Sequence, residues 1–543
     1  MKNKRKWWKE AVVYQIYPRS FNDSNNDRIG DLNGIIEKLD YLKELGVDVI
    51  WLSPIYESPN DDNGYDISDY YRIMEEFGTM DDFDNLLEKI HKKDMKLIMD
   101  LVINHTSDEH YWFKESSKSK DNKYADYYIW RDPVDGKPPN NWESRFSGPA
   151  WTYCESREQY YLHLFSKKQP DLNWENKEVK KDIFKMIDWW LNKGIDGFRM
   201  DVINFIAKKK GLPDSIKPDS PEKWSSLPES HKILKELRTE VINDYDVMTV
   251  GETPFVTPKD GHKYVNRNRN ELDMIFHFEH VHLNDFNDEN FLKFKDIQNT
   301  WYKVQENGGW LSQYFANHDQ PRPISKFFND DKYREESAKL VAMMLLTLPG
   351  TPYIYQGEEI GMTNVDFSSI KDYNDIRTIN KYYDFLEKNK EDDFFEKIKK
   401  KSRDNARTPM QWSDEKYSGF SNVEPWLKIN PNYKKINVKN NLNNFNSVYN
   451  FYKKLIKFKK NNRELTYSNY KDLLKKDREI YYYKRSSENN IYYIILNFTN
   501  KLIDLSKKDI EINNSKNLIV CNYTNYKHDK LSPYEARLYK VKR

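Results

Sequence analysis

The stretch Gly197-Phe198-Arg199-Met200-Asp201-Val202 decides the fold, because it is a short apolar strand ending in an acid within a repeating strand–helix pattern. Residues 179–191, just before it, carry apolar residues at helical spacing. The same unit recurs along the chain, and eight strands are predicted at 12–16, 47–52, 97–102, 197–202, 246–250, 274–278, 312–316 and 352–355. Eightfold alternation of strand and helix predicts an α/β fold, a (β/α)8 TIM barrel.

Two segments depart from this repeat. About seventy residues separate the third strand from the next helix, too many for a structureless loop in a compact domain, so an inserted subdomain is predicted. Near the end of the chain the helical pattern stops and alternating segments predict an antiparallel β-domain. We therefore expect a barrel domain from residues 1–104 and 175–466, an inserted domain at 105–174 and a C-terminal β-domain at 467–543.

Composition excludes several classes of protein. A formal net charge of +2 on 543 residues gives no electrostatic reason to expect a nucleic acid or an anionic membrane as partner. Cys154 and Cys521 are far apart and form neither a disulfide framework nor a zinc pattern. No apolar stretch reaches the length of a signal peptide or membrane span, so a cytoplasmic location is expected.

Acidic residues follow the ends of several predicted strands, where a barrel carries its chemistry. Asp201 ends the fourth strand, Glu252 the fifth and Asp319 the seventh, while Asp100 closes the third. One such acid is more often a helix cap or a surface ion pair, but four are hard to explain in that way. Neighbouring strands lie about 4.8 Å apart, so two facing carboxylates could approach the roughly 5–5.5 Å separation of a retaining glycosidase.

Different proton affinities are expected of the paired carboxylates. Arg199 lies two residues before Asp201, on the same side of the strand, and should keep Asp201 ionised. Glu252 must instead carry a proton at neutral pH, so its pKa should be raised by desolvation or by like charge.

Six segments in order resemble the signature regions of the α-amylase superfamily (glycoside hydrolase family 13), closest to its oligo-1,6-glucosidase and α-glucosidase branch. They are residues 100–105, 169–174, 197–201, 250–252, 317–319 and 403–412. The resemblance implies a retaining, exo-acting α-glucosidase that hydrolyses terminal α-1,6 bonds of isomaltose and short isomalto-oligosaccharides. It implies that Asp201 is the nucleophile, Glu252 the general acid and base, and Asp319 a stabiliser of the distorted sugar ring.

The resemblance also implies a pocket for the terminal glucose. Asp62 is expected to hold the sugar, Tyr65 to stack on it, and His105 and His318 to hydrogen-bond it. Phe165 is expected to form a wall of the pocket. The other expected members are Arg199, Val202 and Arg403. Arg403, favoured over Arg407, would pair with Asp62 and block the far end of the pocket. A blocked pocket admits only a chain end.

Linkage preference rests on finer features. The family's α-1,6-active members commonly carry valine after the nucleophile, as Val202 does here, although a valine also suits any strand. Between Glu279 and Trp310 the chain is shorter than is usual in the family, which predicts a more open leaving-group site. An α-1,4-preferring α-glucosidase and a trehalose-6-phosphate hydrolase, which needs a cationic pocket for the phosphate, therefore remain alternatives with the same chemistry.

A metal site is expected near the N-terminus. Residues 23–31 place oxygen ligands at every second position, the spacing that wraps a hard cation, although Arg28 and Gly34 replace the glycine and glutamate of an EF-hand. An Asx-rich turn without metal is the alternative. The resemblance implies structural calcium bound by Asp23, Asn25, Asp27, the Ile29 carbonyl and Asp31.

Other functions fit less well. Sucrose isomerases carry an Arg-Leu-Asp-Arg-Asp loop after the sixth strand, and none is found here. Non-catalytic barrels of amino-acid transporters lack the full acid set and carry a membrane anchor, and a carbohydrate-storage binding protein also fails on the acids. We expect a monomer whose partner is a small α-gluco-oligosaccharide, with no organic cofactor.

Overall fold

Eight parallel strands form the central sheet. The computed structural model describes residues 5–388, 390, 394–395, 398–510 and 515–543. The strands are β1 (Val13–Ile16), β2 (Val49–Leu52), β3 (Lys96–Val102), β4 (Gly197–Asp201), β5 (Met248–Glu252), β6 (Met274–Phe276), β7 (Ser312–Gln313) and β8 (Thr351–Tyr355). Their order is β6-β5-β4-β3-β2-β1-β8-β7. The edge strands β6 and β7 meet where the Ser312 hydroxyl donates to the Ile275 carbonyl at 2.7 Å. The predicted barrel is confirmed.

Helices follow the barrel strands and pack outside them. The described helices are Trp7–Glu10, Leu32–Glu37, Leu39–Leu45, Met80–Lys92, Tyr111–Ser116, Lys177–Lys193, Pro228–Glu240, Pro258–Val265, Asp288–Glu306, Pro323–Phe327, Arg334–Thr347, Ile376–Glu387, Asp404–Arg407, Val438–Asn443, Val448–Asn461 and Glu464–Tyr467. Helix Met80–Lys92 is typical: Phe83, Leu86, Leu87 and Ile90 repeat every three or four residues and are buried. Burial of each such side chain contributes roughly 1.5–3 kcal/mol.

The interior of the barrel is filled by side chains from several strands. Val49 and Trp51 of β2 contact Ile98, Met248 and other apolar residues inside the sheet. Because the interior is filled, a site must lie at an end of the barrel, and barrel enzymes carry theirs at the carboxyl ends of the strands.

A small antiparallel sheet lies between β3 and helix Lys177–Lys193, after the short helix Tyr111–Ser116. Its strands run in the order Trp130–Arg131, Gln159–Leu162 and Trp151–Cys154. Bridge pairing of His105 with Asp171 ties this inserted part to the end of β3. The expected inserted subdomain is therefore present, and it covers one side of the barrel mouth.

The C-terminal part is the expected antiparallel sheet. Five strands run in the order Asn469–Asp472, Ile480–Ser486, Asn490–Asn497, Ala536–Lys542 and Leu518–Cys521, and Ile503–Asp504 pairs with Lys530–Leu531. The Phe498 ring stacks on Phe291 of a barrel helix with ring centroids 4.4 Å apart. The exact domain boundaries stay predictions. Among the described helices, none is long and apolar enough to cross a membrane.

Candidate active site

The strand register brings the two predicted catalytic carboxylates together. Met200 of β4 pairs with Gly251 of β5, so the next residues along the two strands, Asp201 and Glu252, lie side by side at the carboxyl ends. On its other side Asp201 pairs with Val102 of β3. Asp319 reaches the same end of the barrel from the turn that follows β7.

One guanidinium group connects three carboxylates. The Nη1 atom of Arg199 donates to Asp100 at 2.7 Å and to Asp201 at 2.6 Å, and its Nη2 atom lies 2.7 Å from Glu252. The guanidinium group is buried and lies 5.3 Å above the ring of Trp51. Arg199 therefore fixes the relative positions of the nucleophile and acid candidates without lining the cavity.

Asp100 differs from its predicted place. It was expected to close the third strand, but β3 continues for two residues beyond it to Val102, and its side chain is fully buried. It accepts hydrogen bonds from the Tyr65 hydroxyl at 2.9 Å and from the Trp51 indole at 3.2 Å. Arg199 is the third donor to Asp100. Asp100 therefore holds the side chains of Arg199 and Tyr65 in place beneath the cavity.

Burial separates the proton affinities of the paired carboxylates. It raises the pKa of Glu252 to about 8, and the charges of Asp201 and Asp319 add to the rise while Arg199 opposes it. Burial also raises the pKa of Asp201, to about 6, against the opposing effect of Arg199 and of a hydrogen bond with Glu252. Arg199 thus acts in the expected direction but does not outweigh burial. At pH 7 Asp201 is mainly ionised and Glu252 mainly protonated.

Arg403 closes the inner end of the site. Its Nη2 atom donates to Asp62 at 2.9 Å and to Asp375 at 2.6 Å, and its Nη1 atom lies 3.3 Å from Asp319. The expected contact with Asp62 is present. Among the described hydrogen bonds and ion pairs, none joins Arg407 to Asp62; Arg407 instead donates to Asp319 at 2.9 Å. Asp375 was not predicted as a site residue. Its local sequence indicates only the N-cap of a helix, and it has that role as well.

Asp319 is held as an anion. Burial alone would raise its pKa, but His318 in acid, where it is protonated, together with the permanently charged Arg403 and Arg407, outweighs burial and places the pKa well below its usual value. An ionised carboxylate in this position can stabilise positive charge that develops on a sugar ring.

The predicted histidines are neutral and already hydrogen-bonded. Burial lowers the pKa of His105 to about 4 and that of His318 to about 3. His105 Nε2 lies 3.1 Å from the Tyr65 carbonyl, and His318 Nδ1 lies 2.9 Å from the Gln15 amide. Tyr65 stacks on His318 with ring centroids 5.2 Å apart. These contacts position Tyr65 at the base of the cavity.

A cavity of about 180 Å³ contains most of the predicted site residues. It is lined by Asp62, Tyr65, His105, Phe165, Asp201, Val202, Glu252, Asp319 and Arg403, whereas Arg199 and His318 lie behind the lining. Sequence reasoning missed several further lining residues, which are Arg145, Phe146, Phe205, Pro254, Phe255, Phe278, His282, Gln320 and Arg377. They come from six separate segments of the chain, and only Gln320 adjoins one of the signature segments.

Val202 has a strained backbone. It was predicted to end the fourth strand, but β4 ends at Asp201 and Val202 has φ 33° and ψ 42°. This left-handed conformation is unusual for a β-branched residue. It directs the Val202 N–H to Glu252 at 3.1 Å. The strained residue is therefore the one whose backbone N–H binds Glu252, the candidate general acid.

The candidate metal loop is held by internal hydrogen bonds. Asp23 accepts backbone N–H groups from Asn26 at 2.7 Å and Arg28 at 3.0 Å, and Asp31 accepts the Gly34 N–H at 2.6 Å. Asp31 is buried, and burial raises its pKa, with the nearby Asp23 charge adding to the rise. Asp23 and Asp31 are two buried carboxylates close together, and a bound cation would neutralise their repulsion. Among the described residues no group of three His, Cys, Asp or Glu side chains has metal-binding geometry.

An eight-stranded barrel with three acids at its mouth and an arginine between two of them is the architecture of a barrel glycosidase. The family model for the alpha amylase catalytic domain matches residues 15–468. An oligo-1,6-glucosidase of Parageobacillus thermoglucosidasius is 54% identical over 99% of both chains.

Solved structures agree with this assignment. The crystal structure of Bacillus licheniformis trehalose-6-phosphate hydrolase matches with a TM-score of 0.93 and 45% identity, covering 99% of this chain and 100% of that chain. The isomaltulose synthase from Erwinia rhapontici matches with a TM-score of 0.93 and 42% identity, covering 99% of each chain. The chain belongs to the α-amylase family, glycoside hydrolase family 13, and is a glycoside hydrolase.

Proposed function

We propose that the protein is a retaining, exo-acting α-glucosidase that hydrolyses terminal α-1,6-glucosidic bonds of isomaltose and short isomalto-oligosaccharides. The observation that carries the proposal is the Arg199-bridged pair of carboxylates with separated pKa values at the end of a closed cavity. The oligo-1,6-glucosidase name of a 54% identical relative supports the linkage.

The chemistry is a double displacement. The Asp201 carboxylate attacks the anomeric carbon while the Glu252 proton passes to the glycosidic oxygen, and the leaving sugar departs. Glu252, now a carboxylate, takes a proton from water, and the water oxygen attacks the same carbon and releases Asp201. Two inversions return the α configuration. Asp319 stays anionic and stabilises the positive charge of both transition states.

Exo-action follows from the closed inner end of the cavity. Arg403 spans Asp62, Asp375 and Asp319, so no sugar chain can continue past these residues. The cavity volume of about 180 Å³ is below the roughly 300–1,000 Å³ of drug-sized sites and suits one sugar ring. The terminal glucose therefore enters first, and the rest of the substrate points to the mouth.

The test is glucose release by the purified protein from isomaltose, maltose and trehalose-6-phosphate in parallel, with Asp201→Asn as the blank. Preferred turnover of isomaltose would support the proposal. Preference for maltose would favour an α-1,4-glucosidase, and preference for the phosphorylated disaccharide a trehalose-6-phosphate hydrolase. Each of those two results would keep the mechanism and reject the α-1,6 linkage.

Val202 is expected to affect linkage preference. It lines the cavity beside Glu252, where the leaving sugar must lie. We expect Val202→Thr to change the isomaltose-to-maltose ratio of kcat/KM about tenfold or more in favour of maltose, because small pocket changes are worth about 1–3 kcal/mol. Threonine keeps the β-branch and therefore the same backbone strain. An unchanged ratio in a variant with the wild-type Tm would reject this role.

We further propose that the loop of residues 23–31 binds a structural calcium ion. Asp23, Asn25, Asp27, the Ile29 carbonyl and Asp31 would hold it, with the buried charges of Asp23 and Asp31 as the main attraction. The loop has no contact with the carboxylates of the cavity among the described hydrogen bonds. The ion would therefore stabilise the fold and take no part in the reaction.

Removal of calcium is expected to lower the Tm of the wild-type protein by several degrees, because an ion that binds only the folded state stabilises it. Thermal unfolding with calcium and with a chelator measures the effect. Asp27→Ala, which removes an exposed ligand, should abolish the difference. Equal Tm values for the wild type under both conditions would show that the loop folds as an Asx-rich turn alone.

A cytoplasmic monomer is proposed for the same enzyme. Cys154 and Cys521 are both unpaired thiols, as a reducing compartment allows. Sedimentation of the purified protein would measure the oligomeric state, and fractionation of cells that express it would measure its location.

A further inference from the structure

A second cavity, of about 590 Å³, lies on the outer side of the barrel, behind the catalytic cavity. The inserted subdomain, the loop after β4 and two helices, Lys177–Lys193 and Pro228–Glu240, meet around it. Its volume is within the roughly 300–1,000 Å³ that is usual for small-molecule sites. The described residues that line it are all different from those of the catalytic cavity. We call it the lysine cavity.

The floor of the lysine cavity is apolar. It consists of side chains that are each no more than 9% exposed, which are Ile129, Trp174, Ile206, Ala207, Leu212 and Ile233. The indole N–H of Trp174 is already used, because it donates to the Ile103 carbonyl at 2.8 Å. The floor therefore offers apolar surface and favours a ligand with an apolar face.

Basic side chains form most of the rest of the lining. Lys208 pairs with Asp171 at 2.6 Å, and Lys180 pairs with Glu236 at 2.7 Å. Four further basic residues of the lining have no ion pair with any carboxylate that the structure describes, and they are Arg131, Lys177, Lys209 and Lys210.

The acidic residues of the lining do not balance this charge. Glu236 is shared, since Lys232 also lies 4.0 Å from it. Glu175 and Glu229 are the other two acidic residues of the lining, so four unpaired cations face two carboxylates. The excess positive charge attracts anions into the cavity.

This lining does not suit a neutral sugar. Lysine and arginine side chains donate hydrogen bonds but cannot accept them, whereas sugar hydroxyls need acceptors as well as donors. Inorganic phosphate alone would leave the apolar floor uncovered. A ligand with a flat ring system at one end and more than one anionic group at the other matches both parts, and a nucleoside diphosphate has this form.

The lysine cavity and the catalytic cavity share a wall. Ile206 and Ala207 line the lysine cavity, and Phe205, the residue before them, lines the catalytic cavity. The Nζ atom of Lys208 holds this wall, because it donates to the Phe205 carbonyl at 2.7 Å and to the Asn104 side chain at 2.9 Å. A ligand that displaces residues 206–210 would therefore also displace Phe205.

We propose that the lysine cavity binds a nucleoside diphosphate, with the base on the apolar floor and the phosphates among Lys177, Lys209 and Lys210, and that this binding modulates hydrolysis through the shared wall. The proposal goes beyond the proposed function and does not depend on the linkage that the enzyme prefers.

The first experiment measures binding of three probes to the purified wild-type protein by calorimetry in magnesium-free buffer. ADP should bind at least about tenfold more tightly than adenosine, which lacks the charges, and than pyrophosphate, which lacks the base. Its affinity should fall as salt is raised, because charge attraction is screened. No saturable binding of ADP, or equal affinity for ADP and either of the other probes, would overturn the proposal.

Variants test whether ADP occupies this cavity. Lys209→Gln combined with Lys210→Gln should weaken ADP binding about tenfold or more. Lys475→Gln combined with Lys476→Gln makes the same charge change at two adjacent exposed lysines of the C-terminal part, and it should keep the wild-type affinity. Thermal unfolding checks that both variants are folded. Wild-type affinity in the first variant, or equal losses in both, would overturn the assignment of the site.

Kinetics test the shared wall. Saturating ADP should change kcat/KM for 4-nitrophenyl α-glucoside by about fivefold or more, the usual size of coupling between two sites, and the change should be absent in the Lys209 and Lys210 variant. Unchanged kinetics with ADP bound would overturn the modulation. The aryl glucoside does not test linkage, so loss of the α-1,6 assignment and loss of the ADP site are separate outcomes.

Discussion

Replacement of Asp201 by asparagine is expected to lower kcat for every α-glucoside by about four to six orders of magnitude, the range seen when a covalent nucleophile is removed. Asparagine has nearly the same shape and can still accept a hydrogen bond from Arg199, but its amide cannot form the glucosyl ester. Glucose release and thermal unfolding measured together separate lost chemistry from lost stability.

A matched control exists in the C-terminal sheet. Asp472 is also a buried carboxyl whose pKa is raised by burial, and it accepts hydrogen bonds from Asn299 and Leu474 far from the cavity. Asp472→Asn should keep the wild-type kcat. In Asp201→Ala, which removes the carboxyl group altogether, azide added with α-glucosyl fluoride should occupy the vacated face and give the β-glucosyl azide. Residual activity above about one per cent would contradict the assignment of the nucleophile.

Replacement of Glu252 by glutamine is expected to lower kcat for isomaltose by about 10²- to 10⁴-fold, the usual contribution of general acid and base catalysis. Glutamine cannot give a proton to the leaving oxygen or take one from water. The loss should be smaller for an aryl glucoside, since its leaving group needs less protonation. Azide should here attack the glucosyl enzyme and give the α-glucosyl azide, opposite to the product from Asp201→Ala.

The pH dependence of activity gives a second test of Glu252 as the general acid and base. In the wild type, activity should fall below pH about 6 as Asp201 gains a proton, and above pH about 8 as Glu252 loses one. Because glutamine does not titrate, Glu252→Gln should lose the alkaline limb and keep the acid limb. The two limbs report the interacting pair as a unit.

Glu358 offers the control for this substitution. It is a buried carboxyl whose pKa is raised to about 8 by burial, and it accepts the Tyr355 N–H at 2.7 Å outside the cavity. Glu358→Gln should leave both limbs in place. An alkaline limb that persists in Glu252→Gln would mean that another group supplies the proton.

Much of the fold could be predicted because its signals are local. Apolar runs and helical spacing located all eight barrel strands, although β7 proved shorter than predicted and Val202 left its strand. The inserted and C-terminal sheets were likewise signalled by loop length and alternation. Bends such as that at Val202 depend on contacts with distant residues, here the carboxylate of Glu252.

From the residues alone the candidate site was predictable where it follows strand ends, and the family resemblance added Asp62, Tyr65, Phe165 and Arg403, which line the cavity. Asp201 and Glu252 meet because adjacent parallel strands end at the same edge. Asp375 and Arg377 lie far along the chain, after β8, and nothing in their local sequence indicates that they reach Arg403 or the cavity. Their positions depend on how a long loop packs over the barrel.

The sequence by itself determined the type and order of the elements and the acids at the strand ends, because both depend on residues close together in the chain. The different proton affinities and the closed end at Arg403 were expected from the sequence and its family resemblance. Only the tertiary structure decided that burial outweighs Arg199 at Asp201, that Asp375 contacts Arg403, and which further residues line the cavity. Each of these is a property of burial or of charges brought together from distant segments, and neither burial nor proximity is encoded in spacing along the chain.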